Sequence, residues 1–256
     1  MSRVGSMGRA LRLERLRAEV RAIAAAGQDP AAVLPFGVSD LDARLAGGGL
    51  ADAGVHEAAG ASDGYSDDAA ATLFLAGIAA RRAGRRGTVL WVVARRDLFA
   101  PGLAQAGLDP GKLLVAETGR DSDVLAVMEE GLRHGALAAV VGEIGRAGLT
   151  ETRRLQLAAE EGGTMALLLR RWRKGDPLGE PSSALTRWRI GSAPSVPLPG
   201  PGVGRACWHV ELARQRGGPG FSLLLESCDA QGRLAVPALS ADRPDQADRG
   251  DERQAA

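Results

Sequence analysis

Gly54-Val-His-Glu-Ala-Ala-Gly60-Ala-Ser-Asp-Gly64-Tyr-Ser-Asp-Asp-Ala-Ala70 is the stretch on which the fold turns. Val55–Ala58 reads as a short strand, the glycines at 60 and 64 as a loop, and Asp67–Arg82 as an alanine-rich helix carrying Leu73, Phe74 and Ile78. Strand, glycine-bearing loop, helix is the geometry that presents backbone N–H groups to a phosphate. A working phosphate loop has the pattern GxxxxGK[ST], with Lys bridging the terminal phosphates and the hydroxyl holding magnesium. Counting from Gly60, the second glycine position holds Tyr65 and the lysine position holds Ser66. No Lys occurs between residues 1 and 111. Asp63, Asp67 and Asp68 crowd the helix start instead, where they suit the helix dipole but would repel a triphosphate. Gly60, Ser62, Gly64 and Ser66 are therefore read as a degenerate nucleotide loop.

Beyond this stretch the chain alternates. Thr88–Val93, Leu113–Ala116, Leu137–Val141 and Met165–Leu169 are apolar runs of strand length, rich in Val and Leu. Asp97–Ala106, Asp121–His134 and Thr150–Glu161 are helical between them. Strands buried on both faces and separated by helices predict a parallel sheet with right-handed crossovers. After residue 175 the pattern changes. Leu185–Ile190, Cys207–Ala213 and Phe221–Ser227 read as strands with no helix between them, predicted to extend the sheet in antiparallel fashion. Residues 240–256, with five acids and three Arg, are predicted disordered.

The 256 residues carry 32 Lys+Arg against 31 Asp+Glu, so a global polyelectrolyte attraction to nucleic acid or anionic lipid is excluded and only a local patch could supply one. Cys207 and Cys228 form no CxxC and have no His at metal spacing, which argues against zinc and against a disulfide scaffold. No signal-peptide core and no membrane-length apolar run is present, which predicts a soluble cytoplasmic protein. The three His are scattered, and neither GxSxG nor HExxH occurs, so no catalytic residues and no metal ligands are assigned.

Two other segments stand out. Residues 9–26 predict a helix with a narrow apolar stripe, Leu13, Leu16, Val20 and Ile23, surrounded by Arg9, Arg12, Arg15, Arg17 and Arg21 against Glu14 and Glu19. Such a thinly apolar helix docks on something: its own core, a protein partner or nucleic acid. Arg170-Arg171-Trp172-Arg173-Lys174, followed by Arg187-Trp-Arg189, interleaves six cations with two Trp. That composition fits a solvated strand edge with Trp in the core, a protein interface, or a stacking platform for single strands.

The order of features resembles the RecA-type recombinase core over about residues 35–227. Phe36-Gly-Val-Ser-Asp-Leu-Asp-Ala-Arg-Leu-Ala-Gly-Gly-Gly-Leu50 leads into Val55-His-Glu57. Thr88–Val93 is followed by Leu98–Leu114, Val124 leads to Val-Val-Gly-Glu143, and Ser183–Ile190 resembles the strand after the DNA-binding loops of that core. The Arg-rich leader, the Lys-less loop, the Val-Val-Gly-Glu143 strand end and Leu167-Leu-Leu-Arg-Arg-Trp172 are similar to the ImuA family, short RecA-like proteins of bacterial damage-inducible mutagenesis. The resemblance implies an α/β fold with a mostly parallel sheet flanked by helices, an antiparallel C-terminal extension and an N-terminal helix. It implies three segments: a basic leader at 1–29, a RecA-like domain at 30–239 and a tail at 240–256. It further implies a non-catalytic accessory of translesion synthesis, without a cofactor. Its partners would be an ImuB-like protein, an error-prone replicative-type polymerase and RecA, with weak DNA contact.

Departures from the ATPase pattern reinforce the non-catalytic reading. The stretch that carries the water-activating Glu in RecA enzymes is Arg95-Arg96-Asp97 here, and the magnesium-ordering strand-end Asp is replaced by Gly142-Glu143. Glu143 is open to two roles, a metal ligand or a carboxylate paired with a nearby Arg. Alternatives to the accessory role are an ATP-dependent recombinase or mediator, which the missing Lys opposes, and a cell-division inhibitor, which the long C-terminal extension opposes.

Overall fold

A two-residue hairpin opens the fold: β1 (Val33–Leu34) pairs antiparallel with β2 (Leu50–Ala51), with the short helix α1 (Ser39–Asp42) between them. The computed structural model describes residues 32–171, 175–198 and 200–237. The predicted leader helix at 9–26, the tail at 240–256, and Trp172, Arg173 and Lys174 lie outside the described residues.

After the hairpin come β3 (Gly54–Gly60), α2 (Tyr65–Arg86), β4 (Val89–Val93), α3 (Ala100–Gln105), β5 (Leu113–Glu117), α4 (Asp121–His134), β6 (Ala139–Ile144), α5 (Leu149–Gly162), β7 (Met165–Arg170), β8 (Thr186–Ala193), β9 (Cys207–Gln215) and β10 (Phe221–Glu226). Their eight-stranded sheet has the order β10-β9-β8-β3-β7-β6-β4-β5. The period of two along each strand divides the core. Val89, Trp91 and Val93 of β4 and Met165, Leu167 and Leu169 of β7 face the layer of α2, while Val92, Ala166 and Leu168 face the layer of α4 and α5. This is why these runs read as continuously apolar rather than alternating.

Local signals set the element ends. Helix α4 places Asp121 and Asp123 in its first turn and Arg133 and His134 in its last, in accord with the helix dipole. Gly135 stops it in the left-handed region at φ 73°. On β6, a Cβ at Gly142 would stand 2.1 Å from Met128 Sδ, so the absence of a side chain there is what lets α4 pack on the sheet.

The C-terminal extension is antiparallel as expected: β9 runs antiparallel to both β8 and β10. Strand β8 is the seam, because on its other side it runs parallel to β3, with His56 opposite Thr186 and Gly60 opposite Ile190. The chain from β7 passes over β3 to reach it, and among the described residues of that connection there is no helix.

Trp188 sits under β8 with no exposure, its ring 5.7 Å from Phe36, 5.5 Å from Phe74 and 6.2 Å from Phe221. It thus ties the N-terminal hairpin, α2 and the antiparallel extension into one core. Its indole N–H donates to Thr186 Oγ1 at 2.8 Å. The same hydroxyl lies 2.8 Å from His56 Nδ1, and His56 Nε2 lies 2.9 Å from the Ala51 carbonyl. The chain of donors is complete when Nε2 carries the proton, so these partners assign a neutral His56 of that tautomer. Burial pulls its pKa down to about 4, against weaker upward pulls from the Ala51 carbonyl and Asp52.

Candidate functional site

The C-terminal ends of parallel strands are where an α/β sheet gathers its ligand-binding loops. Here one ionic cluster stands at that edge on the α2 face, and a second lies on the opposite face around the middle of β3. On the α2 face, Glu143 at the end of β6 accepts the Trp91 indole N–H on Oε1 at 2.7 Å. Its Oε2 accepts Arg171 Nη2 at 2.6 Å and Nε at 3.1 Å. Arg171 also pairs through Nη1 with Asp68 in the first turn of α2. One guanidinium therefore bridges the strand-end acid and the helix that follows the glycine loop. Burial lowers the Arg171 pKa, but the adjoining Glu143 and Asp68 carboxylates outweigh it and leave it above the ordinary value.

The loop itself is tied down by its own side chains. A Cβ on Gly60 would meet the Asp67 carbonyl carbon and the Ser62 carbonyl oxygen, each at 3.0 Å, so the strand end and helix start approach closely. The Ala61 N–H donates to the Ile190 carbonyl at 2.9 Å, and the Gly64 N–H to Ser62 Oγ at 3.2 Å. Ser62 Oγ donates to Asp67 Oδ2 at 2.7 Å, while Asp67 Oδ1 accepts the Ser192 N–H at 2.7 Å and hydroxyl at 2.8 Å. Partial burial raises the Asp67 pKa, but the hydrogen bonds from Ser192 and Ser62 outweigh it and hold the carboxyl below its ordinary range. Ser66 is exposed.

Beside this cluster opens a cavity of about 770 Å³ between α2, α3 and the ends of β4 and β6. Four carboxylates line it, Asp63, Asp68, Asp97 and Glu143, against two cations, Arg95 and Arg171. A magnesium nucleotide does not fit this donor set. Among the described residues no lysine lines the cavity, both oxygens of Glu143 already have protein partners, and the lining acids outnumber the lining cations where phosphate charge would have to be met. Among the described residues, no group of three or more His, Cys, Asp or Glu could hold a metal ion.

On the opposite face, Glu57 of β3 has no exposure. Its Oε1 accepts Arg170 Nη1 at 3.1 Å and the Ser182 hydroxyl at 2.8 Å, and its Oε2 accepts Arg187 Nε at 2.7 Å. Arg170 donates also to the Ala147 carbonyl at 3.0 Å. This corrects the sequence reading of Arg170 and Arg187 as partner or DNA contacts. Their side chains are 1% and 8% exposed, because the register of β3 between β7 and β8 draws both guanidiniums inward onto one carboxylate. Arg171 is committed to Glu143 and Asp68, and Arg189 forms a bidentate pair with Asp176, at 2.9 and 2.6 Å. The six-cation patch is thus largely a set of internal ion pairs. Asp68 was singled out from the sequence as part of the acidic helix start, but its pairing with Arg171 was not, and Glu57 was given no role. The signal available for Glu57 was an ionisable residue inside a short strand, which must be paired if that strand is buried.

Both cysteines are free thiols; burial pushes the Cys228 pKa up to about 12, which leaves it unreactive. Among the described residues, no helix is long and apolar enough to cross a membrane.

Comparison with known proteins places these features. No protein-family model matches the chain. Protein ImuA from two strains of Caulobacter vibrioides is 38% identical in an alignment of 212 residues, which covers 78% of this chain and 86% of that protein. The crystal structure of the RadB recombinase aligns with a TM-score of 0.55 at 17% identity, over 79% of this chain and 99% of RadB. At that identity the likeness is one of fold, and it identifies the sheet as RecA-like.

Proposed function

The chain belongs to the ImuA family, and from that premise we propose that it is a non-catalytic, RecA-like accessory of damage-induced mutagenesis. In this reading it acts as an adaptor in a translesion polymerase complex with an ImuB-like protein and an error-prone replicative-type polymerase, and with RecA. The observation that carries the non-catalytic part is the bridge of Arg171 between Asp68 and Glu143. A protein guanidinium and two carboxylates neutralise one another where a nucleotide-driven machine needs a cation facing phosphate and an acid facing metal. Loss of the loop Lys alone could be compensated from another part of the chain. Loss of the Lys together with internal use of the strand-end acid removes phosphate binding and metal placement at once.

The adaptor part is supported by what remains once catalysis is set aside: a RecA-like scaffold whose loop is fixed by hydrogen bonds among Ser62, Asp67 and Ser192. Internal pairing of Arg170, Arg171, Arg187 and Arg189 favours protein over DNA as the principal contact, since paired guanidiniums release few counterions on meeting phosphate. The test is co-precipitation of the purified chain with the ImuB-like protein and the polymerase subunit. The expected result is a complex recovered to the same extent without nucleotide, with ATP and with ADP. Recovery that requires ATP, or no complex under any of these conditions, would overturn the reading.

A further inference from the structure

Helix α5 carries its charges against its own dipole. Its exposed residues include Arg153 and Arg154 in the first half and Glu160 and Glu161 in the last turn, which holds no basic residue. Acids at a helix C-terminus are unfavourable, and α4 beside it shows the opposite, matched arrangement. Within the chain these groups are only partly answered. Arg154 pairs with Glu129 at 2.6 Å, Glu160 accepts Gln156 Nε2 at 2.7 Å, and Glu161 meets Arg133 at 3.4 Å with 69% of its side chain exposed. Among the described residues, Arg153 makes no hydrogen bond or ion pair.

These charges are symmetric about one apolar residue. Leu157, 51% exposed, follows Arg153 and Arg154 by four and three residues and precedes Glu160 and Glu161 by three and four. Positions three and four apart share one face of a helix, so the five side chains form a single outward stripe of two cations, a leucine and two acids. When two such stripes lie antiparallel with Leu157 at the centre, Arg153 of each copy stands level with Glu161 of the other, and Arg154 with Glu160. Each level pair then lies within about 6 Å of the leucine contact along the helix axis. A parallel alignment would set Arg against Arg and Glu against Glu. The charge order therefore selects a twofold, self-complementary pairing, which closes as a dimer.

We propose that α5 docks antiparallel on α5 of a second copy of this chain, about a twofold axis at Leu157. The pairing gives the Arg153 guanidinium a carboxylate and sets cations beside the acids that oppose the helix dipole. One helix pair buries less than the roughly 1,600 Å² of a standard interface, so the association is weak and reversible. Helix α5 lies on the face of the sheet opposite α2, so both degenerate clefts stay on the outside of the dimer. A chain paired in this way offers every other surface twice, which raises its avidity for a multi-subunit assembly.

Sedimentation equilibrium of the full chain at low salt, from about 1 µM to about 1 mM, tests this and is expected to show a monomer–dimer equilibrium. Arg153→Glu and Glu161→Arg, both at exposed positions, should each weaken it about tenfold, because two opposite-charge pairs become two like-charge pairs. Mixed in equal amounts, the two variants should recover the association, since the reversed charge of each copy then faces its opposite in the other. Under mild oxidation Leu157→Cys should link two copies through a disulfide, because the axis brings the two positions within reach, whereas Leu224→Cys, exposed on β10, should not. Far-ultraviolet circular dichroism confirms folding of each protein. A monomer throughout the range, a dimer indifferent to either charge reversal, no recovery on mixing, or equal linking at positions 157 and 224 would overturn the proposal. None of these results bears on the accessory reading, which the co-precipitation tests separately.

Discussion

Glu57→Ala is expected to bring the protein close to unfolding. Glu57 faces Arg170 and Arg187 with no solvent contact, and these two guanidiniums have one carboxylate between them. Arg170 Nε and Arg187 Nη2 already lack partners, so the cluster has no slack. Removing this acid leaves two buried cations without the carboxylate they share, a change that costs on the order of 3–5 kcal/mol. For a chain of this size that corresponds to a fall in melting temperature of roughly 10 °C. The cost comes from the orphaned charges and not from the loss of a favourable bond. A triple variant, Glu57→Leu with Arg170→Met and Arg187→Leu, should therefore recover most of the lost stability. Thermal unfolding followed by circular dichroism compares the three proteins. A single variant as stable as the wild type would refute this assignment of the cluster.

The second large effect is acid sensitivity above the carboxylate range. His56 is fully buried with a pKa of about 4, whereas the same imidazole in the unfolded chain titrates near its ordinary value of 6.5. Above 6.5 it is neutral in both states and contributes no pH dependence. As pH falls below that value, the unfolded chain binds a proton that the native state refuses, so stability declines until the native imidazole itself titrates near pH 4. The full loss is about 3 kcal/mol, of which about 2 kcal/mol falls between pH 6.5 and 5. Asp67, Asp176 and Asp229, whose pKa values are lowered in the fold, act in the same direction but only at lower pH. Urea unfolding at pH 7 and pH 5 should show this slope in the wild type and its absence in His56→Gln. An equal slope in both proteins would contradict the buried, neutral assignment.

Much of the fold could be read from the chain because its evidence is local. Helix α4 spans Asp121–His134 as the caps and charges predict, since dipole-matched termini and a glycine stop act within one turn. The buried strands announce themselves by composition. The hairpin β1–β2 escaped notice because two residues per strand, separated by a glycine-rich stretch, carry no periodicity. The antiparallel extension was legible, but not that β8 joins the parallel part of the sheet beside β3, because strand order is set by contacts far apart in the chain.

At the site, the missing lysine was legible because a motif position is local as well. The fates of the arginines were not. Arg170 meets Glu57 across 113 positions and Arg171 meets Asp68 across 103, and only the strand order decides such pairings. A run of adjacent cations therefore looks like a surface patch until the register is known. Once it is known, Arg170 and Arg171, neighbours on one strand end, turn to opposite faces and close two separate clusters.

The central claim is that this RecA-like cleft is closed by its own side chains, with Arg171 held between Asp68 and Glu143 where nucleotide and metal would otherwise meet. Isothermal titration of MgATP into the full chain measures it most directly. The expected result is no binding heat up to about 1 mM nucleotide, with or without magnesium. Magnesium-dependent binding in the micromolar range would contradict it.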